Sequence, residues 1–380
     1  MSAVAQNPDV VAEPIPVLSA EDEVSVEVAS QWQLIWWKFR KHRLAMISLA
    51  AILLFYFIAA FAEFFAPVAS GTYLADYVYA PPQTLHLFRE GQFDPFVYGY
   101  SFERDPLSFK KTWSIDRETI IPVGLFVKGE PYTIFGFIES DIHLMGPKEV
   151  GEPFYLLGAD KSGRDVLSRT IFSSRISLLI SNVGVFITMA LGIILGGISG
   201  LVGGLVDNMI QRLIEITMSI PLLPIMIAIA AMVPLDWSVL RVYFLITILI
   251  AFQNWTGTAR VVRSKFLALR EEDFVLAARL DGAKPRRLIL RHMLPSFYSH
   301  LIASLTLTVP GMIIAETALS FLGVGLRPPI VSWGVQLQEA QQVVVIANYP
   351  WLLFPALAVI LVVLAFNFLG DGLRDAADPY

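Results

Sequence analysis

Few residues of this 380-residue chain have the types and spacing that chemistry requires. The stretch "GADKSG" (158–163) sets a lysine among small residues, as a phosphate-cradling loop does. Such a loop reads G-x-x-x-x-G-K-[ST]. Asp160 stands where glycine should precede Lys161, so the chain is not expected to bind ATP itself. Ion-coupled transport would instead need ionisable groups deep in a bilayer. Glu215 and Glu316 are the plausible ones, and both sit at the edges of charge-free blocks. Glu215 is expected near a cytoplasmic interface. Glu316 is expected to be structural, with a place on a transport pathway as the alternative. His86 and His143 are single histidines without ligand spacing, which argues against a metal site. The chain has no cysteine, which excludes disulfides and thiol-based redox or metal sites. No catalytic residues and no nucleic-acid partner are expected.

The most patterned polar segment is "FVLAARLDGAKPRRLILRHMLP", from Phe274 to Pro295. Phe274 to Leu280 reads as a short helix with Ala277 and Ala278 side by side. Gly282 is placed to end it in the left-handed conformation that glycine takes without steric cost. Pro285 can open a second helix, to which Leu288, Ile289 and Leu290 give an apolar side, and Pro295 marks the start of the next apolar block. The product is a helix–turn–helix with little bulk at its centre, suited to seating in a partner's groove. A basic interfacial loop bound to anionic lipid is the alternative. That alternative leaves the Ala-Ala, Gly and Leu-Pro spacing unexplained.

The elements that must position this segment are apolar blocks. The chain is 55% hydrophobic with mean hydropathy +0.61. Charge-free runs cover Leu44–Ala62, Ile176–Val206, Ile216–Leu235, Val242–Ala259, Met293–Ala315 and Ala340–Gly370. A run of about 18 residues or more can cross ~30 Å of hydrocarbon. The chain is therefore read as an all-α polytopic membrane protein with six transmembrane helices. Residues 1–30 hold acids but no Lys or Arg, and are expected to form a disordered cytoplasmic tail. Lacking the basic start of a cleaved leader, the chain should keep its first span as an anchor. Residues 31–66 supply an interfacial helix with Trp32, Trp36 and Trp37, then the first span. The basic cluster Lys38, Arg40, Lys41 and Arg43 puts the N-terminus in the cytoplasm, and the Lys/Arg excess from Arg260 to Arg291 does the same for the patterned loop. Four intervening spans reconcile the two.

Residues 67–157 then lie outside. Alternating runs such as "ETIIPVGLFV" and "EPYTIFGF" predict a small β-rich insertion, either a structural cap or a docking site for an external partner. Residues 158–380 form a core of five further spans, with the patterned loop at 260–295. From Gly163 an amphipathic helix is expected on the outer surface, with Arg164, Ser168 and Arg175 on its polar side. Gly192, Gly196 and Gly200 form a ridge for close helix packing. Pro221 and Pro224 should kink the third span and are candidate pathway residues.

The pattern Ala277-Ala278-x3-Gly282-x11-Leu294-Pro295 resembles the EAA signature of permease subunits of binding-protein-dependent ABC importers. "LLGADKSGRDVLSRTIFSSRISL" (156–178), "ETALSFLGVGLRPPIVSWG" (316–334) and "FNFLGDGLRDAADP" (366–379) narrow the likeness to the C-type subunit of oligopeptide/dipeptide permeases. Leu276 replaces the signature glutamate, and Ser296 follows Leu294-Pro295 where asparagine is common. The resemblance implies a multi-pass inner-membrane subunit with both termini cytoplasmic. It implies that Ala277, Ala278, Gly282, Pro285, His292, Leu294 and Pro295 belong to a coupling loop seated on an ATPase. It also implies a second homologous permease, two ATP-binding subunits that carry ATP and magnesium, and an extracytoplasmic solute-binding protein. The implied cargo is a di- or oligopeptide, with opines or oligosaccharides as alternatives within the family. An ion-coupled transporter without an ATPase and a non-transporting scaffold are the readings from other classes.

Overall fold

A computed structural model describes residues 30–104, 106, 111–234 and 236–377. Apart from Ser30, the expected acidic tail lies outside the described residues. The first described element, α1 (Gln31–Lys41), opens on a capping box: Ser30 and Gln33 satisfy each other's backbone N–H with their side chains. Its three tryptophans are exposed and its last turn is basic, as suits a helix lying at a membrane edge. His42 breaks the chain and caps α2 (Arg43–Ala60), its Nδ1 accepting from the Ala45 N–H at 3.2 Å. A single turn, α3 (Ala62–Phe65), closes this first apolar rod.

The insertion is a four-stranded antiparallel meander of β1 (His86–Arg89), β2 (Gln92–Arg104), β3 (Lys111–Ile134) and β4 (Ile138–Pro147). Val97, Ile121, Val123 and Phe154 make its small core. His86 stacks on Phe96. His143 is buried, with Nδ1 2.6 Å from the Ala66 carbonyl oxygen and Nε2 3.1 Å from that of Glu130, so its ring ties the sheet to the end of the first rod.

Beyond the sheet, α4 (Val166–Val202) runs unbroken for 37 residues. The separate surface helix expected from Gly163 does not form. No proline or glycine interrupts the chain between Arg164 and Val183, and the polar side that suggested solvent finds protein instead. Arg175 binds both carboxylate oxygens of Glu63 at 2.7 and 2.6 Å, and the Ser168 hydroxyl accepts from the Val68 N–H.

After α4 come α5 (Gly204–Ser219) and α6 (Leu222–Met232), which meet at 75°. The single kinked span expected over 216–235 is thus two helices with a sharp break at Pro221. The chain returns as α7 (Val239–Leu269), then α8 (Asp273–Leu280) and the turn α9 (Pro285–Arg287). A π-helical stretch, Leu288–Met293, leads through Leu294–Phe297 into α10 (Tyr298–Phe321). The last apolar block is also divided. It begins at Ala340, the C-cap of α11 (Trp333–Glu339), and runs through α12 (Val343–Asn348), and Pro350 precedes α13 (Phe354–Ala377).

Among the described residues, five helical stretches are long and apolar enough to cross a membrane, or six if α5 and α6 count as one broken span. The glycine ridge packs α4 on α7. A Cβ on Gly192 would lie 2.5 Å from Thr258 Cγ2, and one on Gly196 only 2.4 Å from the Ala259 carbonyl oxygen. Gly184 faces Thr247 and Gly200 faces Arg263, so the facing positions rise together and α4 and α7 are parallel.

Candidate functional site

The patterned loop folds as a helix–turn–helix. Its turn closes with the Gly282 N–H donating to the Arg279 carbonyl at 3.0 Å and the Ala283 N–H to that of Ala278 at 3.0 Å. Gly282 sits at φ +76°, the left-handed region its position in the sequence predicts. Nothing lies within 4 Å of where its Cβ would be. Pro285 opens the following turn at its first position, where the missing N–H costs nothing.

The paired alanines do not share a surface, which corrects the expectation of one small-residue patch. Ala278 is 9% exposed and turns with Val275 into the subunit's own core, alongside Leu288 and Met293. Ala277 is exposed, flanked by Phe274, Leu276 and the 89% exposed Leu280. Neighbours in a helix point 100° apart, and here the core takes one of them. Gly282 and Pro285 also face outward, His292 and Pro295 are half-buried, and Leu294 is buried. The outer face is therefore mostly apolar, within an exposed charged border in which Arg279, Lys284, Arg286, Arg287 and Arg291 outnumber Glu272, Asp273 and Asp281.

Behind this face the segment is tied into the bundle. Phe297 meets Phe266 of α7 edge to face at 5.6 Å. Arg263, also on α7, holds Asp207 of α5 through two bonds of 2.6 Å, and the Ser199 hydroxyl of α4 donates to the same carboxylate. Displacement of α8 would thus reach α4, α5 and α7 together.

The break in the third span has its own chemistry. In a continuous helix residue 221 would donate to the Thr217 carbonyl and residue 224 to that of Ile220. Proline has no N–H and can do neither. Gln253, reaching over from α7, donates its Nε2 to both carbonyls, that of Thr217 at 3.4 Å and that of Ile220 at 3.1 Å, the Thr217 oxygen also accepting the Ile220 N–H at 3.4 Å. Sequence reasoning missed this residue, because nothing in "AFQNW" links it to prolines thirty positions earlier. Pro221 and Pro224 do not line the cleft beside them. That cleft is walled by Met226 and Val233 of α6, Ile246 of α7, and Trp237, Arg327 and Ile330 from the flanking loops.

Glu215 is exposed and pairs with Arg212 at 2.7 Å. Glu316 is wholly buried in α10, and serine hydroxyls enclose its carboxylate. Ser332 donates at 2.8 Å, Ser320 at 2.9 Å and Ser177 at 3.3 Å. The group braces α10 to α4 and to the loop before α11.

A polar knot joins the insertion to the bundle. Asp160 accepts from the Ser162 N–H at 2.7 Å and from Arg164 Nε at 2.7 Å, with Arg169 Nε at 3.4 Å. Asp165 caps α4 through the N–H groups of Leu167 and Ser168, and full burial pushes its pKa up to about 6. Burial and the nearby Asp160 charge also raise Glu339, which accepts from the Lys161 N–H. The lysine that hinted at a phosphate loop is a backbone donor in this knot.

A membrane-embedded helical bundle with a helix–turn–helix projecting from one end defines a transport-protein class. The family described as binding-protein-dependent transport system inner membrane component matches residues 192–380, and the N-terminal TM domain of oligopeptide transport permease C matches residues 30–82. The oligopeptide transport system permease protein OppC of Haemophilus influenzae is 38% identical over 67% of this chain and 80% of its own length. The dipeptide transport system permease protein DppC of Bacillus subtilis is 37% identical over 58% of this chain and 68% of its own. A putative peptide permease protein of Brucella ovis is 39% identical over 63% and 78%. The solved methionine ABC transporter MetNI, inward-facing, covers 55% of this chain and 97% of its own at 16% identity and TM-score 0.41, too slight a likeness to argue from. This chain belongs to the family of binding-protein-dependent transport system inner-membrane components. It is a multi-pass permease, a transport component and not an enzyme.

Proposed function

We propose that the chain is one of two membrane halves of an ATP-driven importer that takes a di- or oligopeptide from an external binding protein into the cytoplasm. The exposed apolar face of α8 within its basic border carries this reading, since it is the kind of surface that seats in a partner's groove. Two ATP-binding subunits, holding ATP and magnesium, would dock there and at the matching loop of a second permease. Closure of the ATPases would move α8, and through Phe266 and the Asp207–Arg263 pair the whole bundle would switch as rigid parts between two states. The coupling role falls on Ala277, Gly282 and Pro285 at the surface, with Ala278, His292, Leu294 and Pro295 supporting them.

Six crossings fit this role. Because α4 and α7 are parallel, the chain between them must return to the far side, and α5 with α6 is the segment available. The basic residues of α1 and of the α8 loop support a cytoplasmic position for both. The C-terminal end of α13 packs on α1, with His42 4.0 Å from Asp375, and so lies on the same side.

Peptide cargo rests on the names of the relatives; opines or oligosaccharides are the other solutes weighed. The test is uptake into proteoliposomes holding the complete complex, with its binding protein and a labelled tripeptide outside. Uptake should require internal ATP. Uptake driven by a proton gradient without ATPase subunits would overturn the reading, and mass spectrometry of the binding protein's ligand would identify the cargo.

A further inference from the structure

Two hairpin tips of the β-sheet have opposite character. The β1–β2 turn reads Arg89-Glu90-Gly91-Gln92, and the β3–β4 turn reads Ile134-Phe135-Gly136-Phe137. Both place a residue and then a glycine at positive φ: 51° and 81° in the first, 52° and 79° in the second. That geometry favours Asn-Gly or Asp-Gly. A glutamate fits a water-facing tip. A phenylalanine there combines backbone strain with exposed apolar area, since Phe135 is 61% and Phe137 75% exposed. A third phenylalanine, Phe126, is held at φ 53° and is 65% exposed beside the exposed Leu125.

Where the second tip lies gives these rings a purpose. The β3–β4 hairpin runs back along the end of the first rod toward the span. Opposite Val127, His143 meets Ala66; one residue nearer the base, the Phe126 ring lies 6.1 Å from Phe64; at the tip, Phe135 lies 5.8 Å from Phe61. Of these three contacts, the one made by the tip lies closest to the apolar interior of α2. Phe61 in turn packs at a tilt against Phe57 at 5.0 Å, and Phe57, Leu54 and Leu53 are among the exposed side chains that α2 offers to hydrocarbon. The apolar surface of the tip is therefore continuous with the lipid-facing stripe of a membrane span. Polar groups begin only on the stem, with Glu139 and the Lys128–Asp141 pair at 3.8 Å.

We propose that the β3–β4 tip is a second membrane anchor, with Phe135, Phe137 and Ile138 entering the headgroup–hydrocarbon boundary beside α2. Aromatic side chains are at home at that depth, and a sheet held by both a span and a lipid-embedded tip keeps a set height above the bundle. The occupant is the lipid surface itself, reached by a hairpin whose backbone bonds are already paired within the sheet.

The chain's lack of cysteine makes the test direct. A nitroxide is attached at Phe137→Cys, or at Glu90→Cys as the aqueous reference. The full chain, with the subunits that purify with it, is placed in phosphatidylethanolamine–phosphatidylglycerol vesicles. Collision rates with oxygen, which concentrates in lipid, and with a water-soluble nickel chelate are measured. The label at 137 should meet oxygen freely and meet nickel several-fold less often than the label at 90. Ile138→Cys should repeat the result if Phe137→Cys folds poorly. Nickel collisions at 137 equal to those at 90 would place the tip in water and overturn the proposal. So would a label shielded from both reagents, which would mean that a protein partner covers the tip.

Discussion

At residue scale the two alanines of the loop are the sharpest test of the coupling face. Ala277→Glu should leave the chain folded and inserted but weaken ATPase co-purification at least tenfold, because it puts a carboxylate into an apolar contact where 1.4 kcal/mol is a factor of ten. Ala278→Glu should behave differently. It buries an unpaired charge between Val275 and Leu288 of the same subunit, a cost of several kcal/mol. Its melting temperature should drop whether or not the ATPase is present. Equal melting temperatures for both variants would show that the inside and outside of α8 have been misassigned. Asp165 makes a second residue-scale case. Its folded pKa of about 6 lies above its ordinary 3.8, so the folded state holds a proton that the unfolded state releases. Stability from that proton is fully present below pH 4 and is lost as pH rises through 6, by roughly 1–3 kcal/mol. Asp165→Asn keeps an N-cap acceptor and has nothing to titrate. Thermal melts of the variant between pH 5 and 7 should be flatter than those of the wild type, and parallel curves would exclude Asp165 as the source.

At the scale of elements, the broken third span depends on a residue of another helix. Gln253→Leu would strip the Ile220 carbonyl of its donor and leave that of Thr217 only the Ile220 N–H, at up to about 1–3 kcal/mol where the bare acceptor is shielded from water. The variant should melt earlier, and transport should fall more than ATPase binding, because the break lies away from α8. Gln253→Glu, which offers no donor at neutral pH, should be as damaging. Unchanged melting in both would show that water serves those carbonyls equally well. The same interplay explains what could and could not be read beforehand. The two prolines announce a break by their missing N–H groups, but its angle and its rescue depend on α7 lying beside them. Likewise Arg164, Ser168 and Arg175 look like a water-facing stripe, until Glu63 and Val68 from the first rod are found against two of them.

For the whole molecule, the parallel course of α4 and α7 makes topology measurable. Single cysteines at Gln92, in the sheet, and at Lys284, in the turn after α8, are both exposed. In right-side-out vesicles a membrane-impermeant maleimide should label the first, and in inverted vesicles the second. Labelling of both from one side would remove the crossing assigned to α5 and α6, and the six-span arrangement with it.

The sequence by itself determined those features that depend on local chemistry. Charge-free runs long enough for hydrocarbon marked the spans, whatever their neighbours. Alternating residues in "ETIIPVGLFV" marked strands, and Gly282 marked a left-handed turn because other residues are strained there. Gly192, Gly196 and Gly200 marked a close helix contact, since only a missing Cβ lets another backbone within that distance. Tertiary structure decided everything that needed a second element. It chose which of Ala277 and Ala278 faces outward, because the core lies on one side of α8. It merged the expected surface helix into α4 by giving its polar side chains protein partners. It made Glu316 a brace by bringing Ser177 from α4 and Ser332 from a distant loop to its carboxylate. Pairings between residues over a hundred positions apart leave no local trace in composition or periodicity, so only the packed bundle reveals them.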